Sequence, residues 1–89
     1  MTRESDIEKY LCDEVKALGG EVRKVRWVGR NGAPDRLVML PNKHFWVELK
    51  APGLKPEAHQ LREHTRMRLY DLQVEVVDSF ERVNEVLGA

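Results

Sequence analysis

The chain has 89 residues, with 15 Lys and Arg balanced by 15 Asp and Glu. That length fits one domain over residues 1–89 with hardly more than a minimum core, and the balance singles out no partner class by net charge. One cysteine, Cys12, excludes an internal disulfide and a Cys-rich zinc site, and no apolar run reaches the roughly 18 residues of a membrane span.

Residues 3–18 read as a helix, with Ile7, Leu11, Val15 and Leu18 at the spacing of an amphipathic stripe. Gly19-Gly20 ends it. Cys12 falls beside the stripe and reads as buried and inert. Ser5-x-x-Glu8 matches a capping box, which would engage the Glu8 carboxylate. Val22, Val25 and Val28, with Trp27, suggest an irregular first strand over 21–28. The glycines and proline of "GRNGAP" (29–34) break it into a loop. "DRLVML" (35–40) is the second strand, Pro41-Asn42-Lys43 a turn and "HFWVEL" (44–49) the third strand. "APGLKP" (51–56) is a second loop, whose Pro56 suits the first turn of a helix.

Ala58, Leu61, Thr65, Leu69 and Leu72 make a stripe along a helix over 57–72, with Met67 and Tyr70 off it as a second apolar contact. "QVEVV" (73–77) alternates as a strand, and Asp78 or Ser79 caps a last helix with Phe80, Val83 and Leu87 on one side. The order αβββαβα predicts a small mixed α/β sheet flanked by helices, the last strand returning parallel through a crossover.

The chemistry concentrates between Arg30 and Gly53. Strand alternation sets Glu48 and Lys50 on one face, with Trp46, and Leu49 on the other. With a two-residue turn at Asn42-Lys43, Asp35 opposes Lys50, and all three charged groups share a face. A slip of one residue carries Asp35 to the Leu49 side. Two converging carboxylates repel unless a counter-charge sits between them, and all-oxygen ligands suit Mg²⁺ or Mn²⁺. A lysine alongside can orient a water or steady a phosphorane charge, the chemistry of phosphodiester hydrolysis. Residues 23–36 add five basic residues (Arg23, Lys24, Arg26, Arg30 and Arg36) against one acid, Asp35. Such a stripe can meet phosphates through its local field. Arg26, Arg30, Asn31, Arg36 and Lys55 are the candidate nucleic-acid contacts. His44, His59 and His64 lack zinc-site spacing, and His64 reads as a surface histidine.

"PD…ELK" resembles the PD-(D/E)XK nuclease signature. The wider pattern of "ESDIEKYL", "GG", "PDRLV", "VELKAPG" and "QLREH" is similar to the VRR-NUC (virus-type replication-repair nuclease) family over about residues 4–87. The resemblance implies a restriction-endonuclease-like core and a Mg²⁺- or Mn²⁺-dependent endodeoxyribonuclease with no other small-molecule cofactor. It implies metal ligation by Asp35, Glu48 and the Leu49 carbonyl, with Lys50 as catalytic lysine and Gln60 accompanying the site. A first-helix glutamate would join them. Glu8, at a spacing similar to that of archaeal Holliday-junction resolvases, is preferred over Glu4. Size and likeness together suggest a homodimer cutting branched DNA such as four-way junctions, in DNA repair or replication. Flap or single-strand cleavage and a non-catalytic nucleic-acid-binding module are the alternatives. The expected location is the cytoplasm of a bacterial or phage-infected cell, with no membrane partner.

Overall fold

The computed structural model describes residues 1–88. Helix α1 (Glu4–Ala17) is followed by strands β1 (Glu21–Lys24), β2 (Arg36–Leu40) and β3 (Lys43–Leu49). Helix α2 (Ala58–Leu69), strand β4 (Val74–Val77) and helix α3 (Phe80–Leu87) complete the order. That is the αβββαβα order read from the sequence. The strands form one sheet in the order β1-β2-β3-β4. β1, β2 and β3 run antiparallel, and β4 lies parallel to β3 after the α2 crossover. No helix among the described residues is long and apolar enough to cross a membrane.

α1 and α3 pack together on one face. Ile7, Leu11 and Val15 project from α1 at helical spacing, and Val83, Val86 and Leu87 project from α3. They close over Val38, Phe45, Val47, Leu49 and Val77. Burying each such side chain contributes about 1.5–3 kcal/mol relative to leaving it exposed. Tyr10 joins the two helices, meeting the Phe80 ring edge-on at 5.0 Å and donating to Asn84 Oδ1 at 2.8 Å.

Local signals set the element ends. α1 starts at an Arg3 cap, whose N–H is accepted by Asp6 at 2.8 Å; the capping box therefore uses Asp6, and Glu8 is left free for another partner. The helix ends as a Schellman turn: Gly20 N–H bonds Val15 O, Gly19 N–H bonds Lys16 O, and Gly19 takes φ +84°. Ser79 caps α3 by accepting from Arg82 N–H at 3.0 Å. Leu18, expected on the α1 stripe, is half-exposed at the C-cap, and Cys12 is half-buried, its thiol pushed up by burial.

α2 turns opposite to the expected face. Glu63, His64 and Met67 point inward, whereas Leu61, Leu69 and Leu72 meet solvent. Pro56 falls one residue before the Glu57 cap. β1 also stops short of the predicted 28, at Lys24. Val25 still donates to Asp35 O at 2.9 Å, and Trp27 then folds back, its indole donating to Pro34 O at 2.9 Å.

Candidate active site

The β2–β3 register decides the site. Leu40 pairs with Lys43 and Arg36 with Val47, so the two-residue turn is Pro41-Asn42. The pairing lies two residues from the expected register, and a shift of two keeps every side chain on its face. Continued by one position, it sets Asp35 opposite Glu48 instead of Lys50. Continued by two, it sets Pro34 opposite Leu49. Proline has no N–H to give to the Leu49 carbonyl, so the "PD" pair leaves that oxygen without a ladder donor beside two carboxylates.

Glu48 sits on the sheet face that receives α2. Its side chain is 11% exposed, and each oxygen has a partner on that helix. Gln60 Nε2 lies 3.4 Å from Oε2 and His64 Nε2 lies 3.4 Å from Oε1. The Gln60 amide is oriented from its other end, since its carbonyl accepts Glu57 N–H at 2.8 Å in a capping box.

Burial pushes the Glu48 carboxyl up to about 7. The Lys50 ammonium opposes this, the negative charges of Asp35 and Glu4 reinforce it, and Arg36 pulls weakly down. Asp35, Glu4 and Lys50 thus all act on Glu48. Lys50 enters no ion pair among the described residues, although its backbone is fixed by donation to Val77 O at 3.0 Å.

Two sequence expectations meet a different geometry. Glu8, preferred as the helix carboxylate of the site, is bonded to Arg36 through Nε at 2.6 Å and through Nη2. Arg36, expected to meet nucleic acid, shares the face of Val47 and Val38 because it pairs with Val47. Its side chain is only 10% exposed, and its remaining terminal nitrogen holds Asp35 Oδ1 at 2.9 Å. Arg36 thus ties Asp35 to α1, and its donors are taken up within the protein. Glu4, one turn earlier on α1, is the helix carboxylate whose charge bears on Glu48.

The remaining basic candidates stand at the surface. Lys24, Arg26, Arg30 and Asn31 line a depression of about 440 Å³ whose floor includes Asp35. Arg30 reaches the buried Glu63 carboxylate at 3.4 Å, which Arg66 also holds at 2.8 Å. Lys55 is exposed in the loop before α2. The Trp27 and Trp46 rings meet at a tilt with centroids 4.9 Å apart, and Gly32, in the loop between β1 and β2, lies so close to α2 that a Cβ there would come within 2.9 Å of His59 O. α2 therefore braces both the loop and Glu48.

His64 is the residue whose place the sequence reading missed. It is fully buried, and burial holds its imidazole below the ordinary value, with the Arg68 charge acting the same way. Its place one turn after Gln60 on the same helix face was the available signal.

Among the described residues no three His, Cys, Asp or Glu side chains are gathered as an ion cage. The oxygens at hand are the Glu48 carboxylate, those of Asp35 and Glu4, whose charges both act on it, and the Leu49 carbonyl. That oxygen-only set fits Mg²⁺ or Mn²⁺, ions that keep several waters and take few protein ligands. Burial first, then the charges of Asp35 and Glu4, holds the Glu48 carboxyl near 7, and a cation beside it would favour the anion.

Comparison with known proteins decides the family. A solved structure titled "VRR_NUC domain" superposes with a TM-score of 0.87 at 44% identity, over 99% of this chain and 97% of that one. A protein of Acyrthosiphon pisum secondary endosymbiont phage 1, named "Putative nuclease p44", is 52% identical over 80 residues, 89% of this chain and 86% of its own length. The chain belongs to the VRR-NUC family of nuclease domains. No family model matches. The VRR-NUC likeness spans α1 through α3, so the "PD" turn and the "ELK" strand end stand here in the setting of a VRR-NUC fold.

Proposed function

We propose that the protein is a divalent-metal-dependent endodeoxyribonuclease whose site is formed by Asp35, Glu48, Lys50, Gln60 and Glu4. The observation that carries this reading is the β2–β3 register, which continued one position past Arg36–Val47 sets Asp35 opposite Glu48, together with the charges of Asp35 and Lys50 that both act on Glu48. Asp35, Glu48 and the Leu49 carbonyl would hold Mg²⁺ or Mn²⁺, with Glu4 in place of Glu8 as the α1 contribution. When bound, the ion supplies Lewis-acid polarisation of a phosphodiester oxygen and lowers the pKa of a water. Lys50, which enters no ion pair among the described residues, orients the attacking water and offsets charge on the phosphorane. Gln60 keeps Glu48 turned toward Asp35. Arg26, Arg30, Asn31 and Lys55 receive the DNA backbone beside the site.

Branched DNA cut by a homodimer is the finer form of the proposal. The small size of the chain and the solvent-facing apolar side of α2, Leu61 and Leu69 with Tyr70 at its end, support a second copy packing there. Labelled duplex, flap and four-way-junction DNA, incubated with Mg²⁺, Mn²⁺ or EDTA, test the reading. Junction cleavage in either metal and none in EDTA is expected. Tight binding without cutting under all conditions would replace it with a binding module. Sedimentation as a monomer at concentrations that cut junctions symmetrically would remove the dimer.

A further inference from the structure

α2 brings two polar side chains to Glu48, and the VRR-NUC signature read from the sequence accounts for one of them, Gln60. We propose that His64 is a positioning residue that sets the rotation of the Glu48 carboxylate, so that its free lone pairs face Asp35 and the metal position. This role rests on the metal-dependent reading above.

Three observations carry it. First, His64 is fully buried, and an imidazole is an expensive way to fill a core that leucine or phenylalanine would fill without a desolvation cost. Second, its two nitrogens are used unequally. Nε2 meets Glu48 Oε1 at 3.4 Å, while Nδ1 has no partner among the described residues. A histidine kept for stability alone is expected to satisfy both nitrogens, as buried polar atoms generally do. With a cation bound, Glu48 is ionised and only accepts, so in that state the ring hydrogen belongs on Nε2 and Nδ1 carries a bare lone pair. The unmet atom is then an acceptor, and the donor is spent on Glu48.

Third, Gln60 and His64 stand four residues apart on one helix face and take different oxygens, Oε2 and Oε1. One contact would leave the carboxylate free to swing about its last torsion. Two contacts, one per oxygen and both from a single rigid helix, fix the plane of the group. Both distances are at the long end of the hydrogen-bond range, as contacts around catalytic groups frequently are before substrate binds. Groups behind metal-ligating carboxylates matter because they orient the ligand, and losing one typically lowers metal affinity about 10- to 100-fold.

The test is Mn²⁺ binding by titration calorimetry, with urea denaturation of each variant alongside. His64→Leu keeps the volume and removes the donor; it is expected to stay folded and to bind Mn²⁺ about 10- to 100-fold more weakly. His64→Gln places an amide N–H near the Nε2 position and is expected to recover most of that loss. His64→Asn places its amide near Nδ1 and is expected to recover little. A His64→Leu protein that binds Mn²⁺ as the wild type does would overturn the role. Should His64→Leu fail to fold, equal affinities of His64→Gln and His64→Asn would overturn it instead. Wild-type protein that binds no Mn²⁺ would overturn the metal site itself and this role with it. Wild-type binding that all three substitutions leave unchanged would remove only the role of His64.

Discussion

Replacing Glu48 with glutamine should make the metal-free protein more stable at alkaline pH. The folded protein holds the Glu48 proton up to about pH 7, against an ordinary value of 4.5, because burial and the charges of Asp35 and Glu4 disfavour the anion. The folded state therefore binds that proton more tightly than the unfolded chain, and stability falls as pH rises from 4.5 through 7. At about 1.4 kcal/mol per pH unit the whole displacement is worth about 3 kcal/mol, most of which accrues between pH 5 and 8.5. Glutamine keeps the size of the side chain and cannot ionise. Urea denaturation of both proteins in EDTA, at pH 5, 6, 7 and 8.5, reads the difference directly. The variant's advantage over wild type should be small at pH 5 and grow by about 2–3 kcal/mol by pH 8.5. Excess Mn²⁺ should then reverse the order, since a ligand that binds only the folded wild type stabilises it by mass action. A difference that stays flat across this range, or an advantage that shrinks as pH rises, would refute the reasoning.

Other substitutions separate the parts of the molecule. A Cβ on Gly20 would lie 2.2 Å from the Met39 carbonyl oxygen, so Gly20→Ala should cost about 1–3 kcal/mol in denaturant by forcing α1 off β2. Ser79→Ala removes the α3 cap and should cost about 1 kcal/mol by the same measurement. Arg26→Ala and Arg30→Ala should each weaken DNA binding and reduce the salt dependence of log K by about one. Arg36→Met should leave that slope unchanged and lower stability instead, since it strands the Glu8 carboxylate and frees Asp35.

The two long helices show why some of the fold is legible in the sequence and some is not. α1 lies on an apolar sheet face, so Ile7, Leu11 and Val15 announce their orientation. α2 lies on a face that carries Glu48 and the arginine loop, so its inward side is Glu63, His64 and Met67. The apolar periodicity of Leu61 and Leu69 then points away from the sheet. Pattern reading assumes that the buried side is the apolar side, and a helix that builds a polar site breaks that assumption. Arg36 misleads in the same way. One basic residue among five on a stripe looks like a phosphate contact, but strand alternation delivers it to the Val47 side, where Glu8 neutralises it. The hairpin shows what the sequence specifies robustly. The turn shifts from Asn42-Lys43 to Pro41-Asn42, and the pairing moves by two residues. Its parity, which puts Asp35, Glu48 and Lys50 on one face, does not change. The two glycines after α1 were read as one stop signal, yet Gly19 supplies a left-handed turn and Gly20 a close approach of backbone to β2.

The proposed active site is tested most directly by single-turnover cleavage of a labelled four-way junction in Mg²⁺, wild type against Lys50→Ala. Lys50 enters no ion pair among the described residues, so the variant should fold and bind the junction much as the wild type does. It should cut at least about 100-fold more slowly. Equal cutting by the two proteins would contradict the assignment of the hairpin face as the catalytic centre.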